Sequence, residues 1–155
     1  MIRLEKINGN NWEEAIDLAV SEDHKKHVAP NLYSIAEVQF HPGYNAYAIY
    51  NGDNMVGFAM YGASEEIDEE DSEYVYPYTL FWILRFMIAE GERFKGYGKE
   101  AMKLIINDAV KAGHDKVFLS TDPDNEKGIR FYTKLGFTTT GVMQYEEEVF
   151  VLNLE

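Results

Sequence analysis

The sequence contains no cysteine among its 155 residues. Disulfide bonds, thiolate metal sites and a cysteine nucleophile are therefore excluded. The sequence also lacks a long apolar run, so no transmembrane helix is predicted. Its N-terminal residues lack the apolar segment of a signal peptide. We therefore expect a cytoplasmic protein without a membrane partner.

Basic residues are scarce as well. Lys and Arg together number 14 against 27 Asp and Glu, which gives a formal net charge of −13. Nucleic-acid binding requires Lys and Arg against the phosphate backbone, so no nucleic-acid partner is expected. The negative charge favours cationic partners through long-range attraction, and solubility alone would also explain it.

The order of the predicted elements indicates a mixed α/β fold. Strands are predicted at residues 2–7, on both sides of an Asn51-Gly52 turn, at 79–89 and 117–120, and near the C-terminus at 137–143 and 149–152. The strands at 79–89 and 117–120 should be parallel, because a helical crossover joins them. We expect one domain over residues 1–155, with six to seven strands and helices on both sheet faces.

Four helical regions accompany these strands. Asn11 is predicted to cap a helix that runs to Val20, and residues 21–41 should form one or two short helices. In the helix predicted over residues 97–112, apolar side chains recur at the spacing of one buried face: Met102, Ile105, Ile106 and Ala109. Another helix begins at Asn125 and ends at Gly136.

A glycine turn at residues 93–99 (Arg-Phe-Lys-Gly-Tyr-Gly-Lys) opens the helix over 97–112. Glycine lets backbone N–H groups converge, and free N–H groups at a helix start attract phosphate. The turn is therefore predicted to bind a phosphorylated ligand, with added positive charge from Arg93, Lys95 and Lys99. Residues 96–101 also satisfy the dinucleotide pattern G-x-G-x-x-A, with Asp122 as a ribose contact. A seven-residue spacer after the strand argues against that alternative.

A second motif follows about thirty residues later. Residues 124–137 contain an Asn and then Phe-Tyr-x-x-x-Gly-Phe, and together with the glycine turn they resemble the GNAT superfamily of N-acetyltransferases. Phe94 departs from the glycine often found at its position in that family. The resemblance implies acetyl-coenzyme A (acetyl-CoA) as the acetyl donor, and no metal.

The resemblance also implies roles for individual residues. The backbone N–H groups of Phe94, Lys95, Gly96, Tyr97, Gly98 and Lys99 would hold the pyrophosphate. The backbone of Phe86, Met87 and Ile88 would pair with the pantetheine arm, with an N–H near Met87 or Ile88 stabilising the oxyanion. Asn125 would hydrogen-bond the same arm.

Tyr132 would be the catalytic acid that protonates the departing thiolate. On residue type alone, an aromatic core role is the more common one for such a tyrosine. Because no cysteine is present, an acyl-enzyme on sulfur is excluded. We therefore expect direct attack by the amine in a ternary complex. A non-catalytic CoA-binding module is the alternative from a different class.

The acceptor is predicted to be a primary amine. The segments 56–62 and 82–88 and the acidic loop between them resemble bacterial spermine/spermidine acetyltransferases. An acidic rim would steer a polyamine; it consists of Glu65, Glu66, Asp68, Glu69, Glu70, Asp71 and Glu73. Leu84 stands where such enzymes often carry an acid, so the base is unassigned. Candidates to line the acceptor site are Glu22, Asp23, Tyr76 and Tyr78. Another small amine or a protein amine is also possible, as is a homodimer.

Other constellations give weaker indications. His24 and His27 have helical spacing beside two acids, and they are expected to be surface histidines rather than metal ligands. Ser120-Thr121 lacks a nucleophile elbow, which disfavours a serine hydrolase. Residues 146–148, three consecutive glutamates, are predicted to be a turn or an exposed edge.

Overall fold

The computed structural model describes residues 1–64 and 75–155, and these form one seven-stranded sheet with helices around it. The strands are β1 (Ile2–Lys6), β2 (Tyr44–Asn51), β3 (Asn54–Gly62), β4 (Trp82–Ile88), β5 (Lys116–Thr121), β6 (Thr138–Gln144) and β7 (Glu147–Asn153). The helices are α1 (Trp12–Ile16), α2 (Glu22–Lys25), α3 (Asn31–Val38), α4 (Tyr97–Lys111) and α5 (Glu126–Lys134). The predicted mixed α/β fold is confirmed.

The sheet has the order β1-β2-β3-β4-β5-β7-β6. Strands β4 and β5 pair in parallel, as the helical crossover predicts, and the other neighbouring strands pair antiparallel. Strand β7 lies between β5 and β6, so the last hairpin folds back into the sheet. In the described parts of the chain, no helix is both long and apolar enough to cross a bilayer.

Each sheet face carries its own helices and its own part of the core. Helix α4 buries Met102, Ile105 and Ala109 against one face, as their spacing predicts, and Ile106 packs at the margin of this cluster. Helix α5 packs on the same cluster, whereas α1 and α3 cover the opposite face. Helices thus flank the sheet on both sides and leave the central strand β4 covered.

Strand β4 carries an irregularity opposite β3. Met60 of β3 pairs with Arg85, but the next residue, Tyr61, pairs with Ile83, so Leu84 is an extra residue in β4. Such a bulge changes which side chains face each side of the sheet. Ile83 and Phe86 are three residues apart and yet both enter the core cluster under α4, which a regular strand would not allow.

Strands β4 and β5 separate soon after they meet. Their ladder contains two residue pairs, Trp82 with Phe118 and Ile83 with Leu119. Residues 86–88 therefore continue along β3 without a β5 partner. The resulting cleft lies between the two strands that the sequence predicted to be parallel.

Two local predictions are wrong. Helix α1 ends at Ile16 rather than Val20, and the Asn11 side chain does not cap it. The Asn11 amide instead accepts a hydrogen bond from the Asn8 N–H (2.8 Å) and donates one to the Lys6 carbonyl (3.1 Å). Asn11 thus fixes the turn after β1, because a short polar side chain readily bonds nearby backbone.

Candidate active site

The glycine turn combines two left-handed residues with the start of α4. Gly96 has φ 83° and Phe94 has φ 66°. Glycine adopts this conformation freely, whereas a bulky side chain such as that of Phe94 is strained there. The first bond within α4 runs from the Glu100 N–H to the Gly96 carbonyl (3.2 Å). The amides of residues 97–99 precede that bond and are free within the helix to meet an anion.

Two of the three basic side chains around this turn, those of Lys95 and Arg93, have partners in the structure. Lys95 pairs with Glu92 at 3.0 Å on the surface. Arg93 donates a hydrogen bond to the Ser21 hydroxyl at 3.3 Å. Lys99 is exposed. Because an exposed ion pair is weak, the Lys95 ammonium can exchange Glu92 for a phosphate at low cost.

The first turn of α4 is also packed against neighbouring elements. The Asn51 amide donates a hydrogen bond to the Tyr97 hydroxyl (2.9 Å), so this tyrosine side chain ties α4 to the β2–β3 hairpin. A Cβ on Gly98 would lie 3.3 Å from the Phe131 ring and 3.5 Å from Ile88. A larger side chain at Gly98 would therefore disturb the contact between α4, α5 and β4.

The backbone of β4 beyond Ile83 presents alternate groups to the cleft. The Ala89 N–H bonds to the Val56 carbonyl of β3 at 2.7 Å. The Met87 carbonyl also faces β3, since a Cβ on Gly57 would lie 2.4 Å from it. Successive residues of a strand point their backbone groups to opposite sides. The N–H groups of Phe86 and Ile88 therefore face the cleft, and this favours Ile88 over Met87 as an oxyanion donor.

Asn125 forms the N-cap of α5. Its side-chain oxygen accepts a hydrogen bond from the Gly128 N–H at 3.1 Å, and its NH₂ group donates one to the Thr121 hydroxyl at 3.0 Å. A Cβ on Gly128 would lie 2.3 Å from the Asn125 side chain, so glycine leaves the room that this cap needs. An amide NH₂ carries two hydrogens. One of them is left for a ligand at the end of β5.

Tyr132 lies on α5, half-buried between two aromatic rings. The Phe131 and Phe137 rings meet it edge-on, with centroids 5.4 and 5.9 Å away. Burial raises the pKa of Tyr132 to about 12, and the negative charge of Glu147 adds to this rise. Among the described residues its hydroxyl has no hydrogen-bond partner. The phenol stays protonated at physiological pH and is free to donate.

Glu147 is a residue of this region that sequence reasoning missed. Glu146 lies in the turn before β7 with φ 63°, as predicted, but Glu147 and Glu148 belong to β7, an inner strand rather than an edge. The Ser120 hydroxyl donates a hydrogen bond to the Glu147 carboxylate at 3.5 Å. Burial raises the pKa of Glu147 above its usual range, and the nearby Arg85 charge opposes this rise in part.

The raised pKa of Glu147 has a consequence for stability. The folded state holds the proton more tightly than the unfolded chain does, so this group's stabilising contribution is complete below the unfolded pKa and is lost as pH rises through the folded one. We expect Glu147→Gln to raise Tm at pH 7 relative to the wild type, with a smaller difference at pH 4. Differential scanning calorimetry at both values tests this expectation. An equal Tm difference at pH 4 and pH 7 would contradict it.

Tyr76 and Tyr78, the two tyrosines predicted to line the acceptor site, lie in the same region as Glu147. Gln144, which links Tyr76 to the sheet, pairs with Glu147 in the β6–β7 ladder. Gln144 clamps the backbone of Tyr76, accepting from its N–H at 3.2 Å and donating to its carbonyl at 3.3 Å. The Tyr76 ring packs on Phe118 (centroids 5.1 Å apart), and the Tyr78 ring packs on Trp82 (5.3 Å). Burial raises the pKa of Tyr78, and the charge of Glu147 contributes to that rise.

The two acids predicted on α2 are engaged elsewhere. Glu22 is exposed and pairs with Lys25 at 3.0 Å, and Asp23 pairs with Lys127 of α5 at 3.4 Å. Both are exposed ion pairs, and a role for these two carboxylates in amine binding stays a prediction. The predicted acidic rim, including Glu65, Glu66 and Asp68, lies outside the described residues.

The two histidines of this segment are partly buried, which corrects the prediction of surface histidines. The His27 imidazole lies 3.5 Å from the Asp122 carboxylate, at the end of β5. Burial, followed by the charge of Arg93, lowers the pKa of His24, which lies against the Phe86 carbonyl of β4. Segment 21–27 therefore contacts both sides of the cleft. Within residues 1–64 and 75–155, no three His, Asp or Glu side chains are placed to hold a metal ion.

A cavity of about 900 Å³ opens at the opposite end of β4. Its walls come from β2, β3 and the C-terminal part of α4, and they include Tyr47, Tyr61 and Asp108. The Tyr61 hydroxyl donates a hydrogen bond to the Asp108 carboxylate. Neither the glycine turn nor α5 contributes to this cavity, so it is separate from the cleft.

The comparison with protein families identifies the family to which this fold belongs. The profile of the acetyltransferase (GNAT) family matches residues 12–137. The chain belongs to this family. The predictions of an N-acetyltransferase and of acetyl-CoA as its co-substrate are thereby confirmed. The alternative of a dinucleotide-dependent enzyme is not supported.

Individual relatives and a solved structure are also similar to the chain. The chain is 28% identical to a spermine/spermidine N(1)-acetyltransferase of Bacillus subtilis strain 168 over 155 residues, which cover 99% of each chain. It is 27% identical to a probable spermine N(1)-acetyltransferase of Bacillus subtilis subsp. natto, again over 99% of each chain. A solved Bacillus subtilis acetyltransferase in complex with CoA has the same fold, with a TM-score of 0.69, 17% identity and full coverage of both chains.

Proposed function

We propose that this enzyme transfers the acetyl group of acetyl-CoA to a primary amine of a polyamine such as spermidine or spermine. The main structural support is the unpaired edge of β4, against which the start of α4, with its free amides, and helix α5, which carries Tyr132, are packed. The two Bacillus relatives that match over the whole chain support the substrate class. The net charge of −13 suits a polycationic acceptor.

The proposed reaction is a direct attack in a ternary complex. The amides of residues 94–99 bind the pyrophosphate, and the backbone of Phe86 and Ile88 pairs with the pantetheine arm as an added strand. The Asn125 amide donates to the same arm. The Ile88 N–H then lies beside the thioester carbonyl and stabilises the oxyanion as the amine nitrogen attacks.

Tyr132 acts on the leaving sulfur. A phenol with a pKa of about 12 is a weaker acid than a thiol, whose pKa is about 8.5. Tyr132 therefore first donates a hydrogen bond to the developing thiolate. Its proton passes to sulfur as the amine nitrogen releases one to restore the phenol. The C–N bond forms, the C–S bond breaks, and CoA leaves as the thiol.

A free-thiol assay with a panel of amines tests this function. We expect CoA release from acetyl-CoA with spermidine or spermine, and background release when no amine is added. Turnover confined to peptides or aminoglycosides would contradict the polyamine assignment. Binding of acetyl-CoA without turnover of any amine would instead support a non-catalytic CoA-binding module. Cytoplasmic location, a single domain and a homodimer stay predictions.

A further inference from the structure

We propose that Glu147 is the base that receives the proton of the acceptor's ammonium group. The inference rests on the proposed acetyl transfer and assigns the step that the sequence leaves without a residue, since Leu84 occupies the position where an acid was looked for. A free alkylamine has a pKa near 10.4 and arrives protonated at neutral pH. Its nitrogen can attack only after one proton has been removed.

The position of β7 brings Glu147 to the cleft. Glu148 pairs with Thr121, the last residue of β5, so the preceding Glu147 stands where β5 leaves the sheet. Neighbouring residues of a strand point to opposite faces. Glu148 accepts a hydrogen bond from the Thr139 hydroxyl of β6, whereas Glu147 accepts from Ser120 on the other face. Ser120, predicted not to be a nucleophile, thus orients this carboxylate.

The groups that influence Glu147, or that it influences, come from four parts of the chain. Arg85 of β4 attracts its charge, and Asp122, which follows β5, repels it. The negative charge of Glu147 contributes to the raised pKa of Tyr132 in α5 and of Tyr78, which precedes β4. The charge of Glu147 therefore acts on the residue proposed to protonate sulfur.

The other carboxylates of this region have partners. Glu37 pairs with Arg85 at 3.3 Å, which draws that guanidinium toward α3, and Arg85 also donates to the Leu84 carbonyl at 2.8 Å. Asp122 lies against His27 at 3.5 Å. Glu147 accepts one long hydrogen bond from a neutral hydroxyl. A partly buried carboxylate with so little stabilisation is a stronger base than an ordinary glutamate, and its raised pKa agrees with this.

The protons of the reaction balance with this assignment. The ammonium gives one proton to the Glu147 carboxylate, and the neutral nitrogen attacks the thioester carbon. The nitrogen gives a second proton through Tyr132 to sulfur as the C–S bond breaks, and it keeps the third as the amide N–H. Glu147 then releases its proton to water.

The test compares Glu147→Gln with Glu148→Gln, a neighbouring variant with the same charge change. We expect Glu147→Gln to lower kcat/KM for spermidine about 100-fold at pH 7, within the usual range for a general base. The dissociation constant of acetyl-CoA should stay within about twofold of the wild type, since the base acts on the amine rather than on the cofactor. Glu147→Asp should recover part of the activity. Glu148→Gln should stay near the wild type.

The pH profile separates a base from a structural residue. The deficit of Glu147→Gln should shrink above about pH 9, because more of the amine then arrives without its proton. A deficit that is constant with pH, an equal loss in Glu148→Gln, or an unchanged kcat/KM would each overturn the assignment while leaving acetyl transfer intact.

A wild-type protein that releases no CoA with any amine would instead refute the proposed function. A second measurement still decides the role of Glu147 in that case. Carbon-13 NMR of the glutamate carboxyls, assigned with Glu147→Gln, should show its pKa falling when spermidine is added, because a bound cation favours the carboxylate. A titration unaffected by spermidine would overturn the inference.

Discussion

Tyr132→Phe is expected to lower kcat about 100-fold or more and to leave the affinity for acetyl-CoA nearly unchanged. The substitution removes the one polar atom of a side chain whose ring is held by Phe131 and Phe137. The ring packing should survive, so the loss reports the missing hydrogen bond to the leaving sulfur. Single-turnover kinetics and calorimetry with acetyl-CoA measure the two quantities separately.

Tyr33→Phe is the matched control for this variant. It removes the same atom from a tyrosine on α3 that is 57% exposed, and it should leave kcat unchanged. The alkaline side of the pH profile provides a second check. Because the pKa of Tyr132 is raised to about 12, its ionisation should not limit wild-type activity below about pH 10. Weakened acetyl-CoA binding with an unaltered kcat would contradict the role assigned to this hydroxyl.

Gly96→Val is expected to weaken acetyl-CoA binding about tenfold or more. Gly96 has φ 83°, and an L-residue in this conformation costs about 1–2 kcal/mol, more for a branched side chain. Nothing in the described structure lies within 4 Å of a Cβ at this position, so the strain falls on the backbone of the turn itself. The amides that would face the pyrophosphate move when that backbone relaxes.

The other end of the same helix provides the control. Gly113 has φ 87° and, like Gly96, has open space where a Cβ would stand. Gly113→Val should therefore reduce Tm about as much as Gly96→Val, without a change in the dissociation constant of acetyl-CoA. Calorimetric titration and thermal melts of both variants give the comparison. Equal affinities in the two variants would show that the turn at residues 93–99 has a structural role alone.

Much of the fold could be predicted because its signals are local. The apolar runs of β2 and β3, the Asn-Gly turn and the helical spacing of Met102, Ile105 and Ala109 each depend on a few neighbouring residues. The cap predicted for helix α1 is wrong because the Asn11 side chain bonds the preceding turn instead of the start of the helix. The choice between those two bonds depends on where β1 ends in space.

The candidate site was predictable where a motif carries it and not elsewhere. The glycine turn, Asn125 and Tyr132 belong to contiguous patterns. Glu147 does not, because its surroundings depend on β7 inserting between β5 and β6, and three glutamates in a row indicate a solvated turn. The available signal was the pair of charged residues Glu147 and Glu148 directly before the apolar run 149–152, and it is a weak one.

The extra residue Leu84 divides β4 into two parts whose side chains alternate in opposite senses. Before Leu84 the side chains alternate in one sense, and after it they alternate in the other, so Ile83 and Phe86 share a face. A regular ladder in which Leu84 had its own partner in β3 would shift the preceding residues by one position and would exchange the surroundings of Trp82 and Ile83. An indole now packed among aromatic rings would be turned toward α4. The irregular ladder is therefore what keeps the side chains in both halves of β4 on the sheet faces that they now occupy.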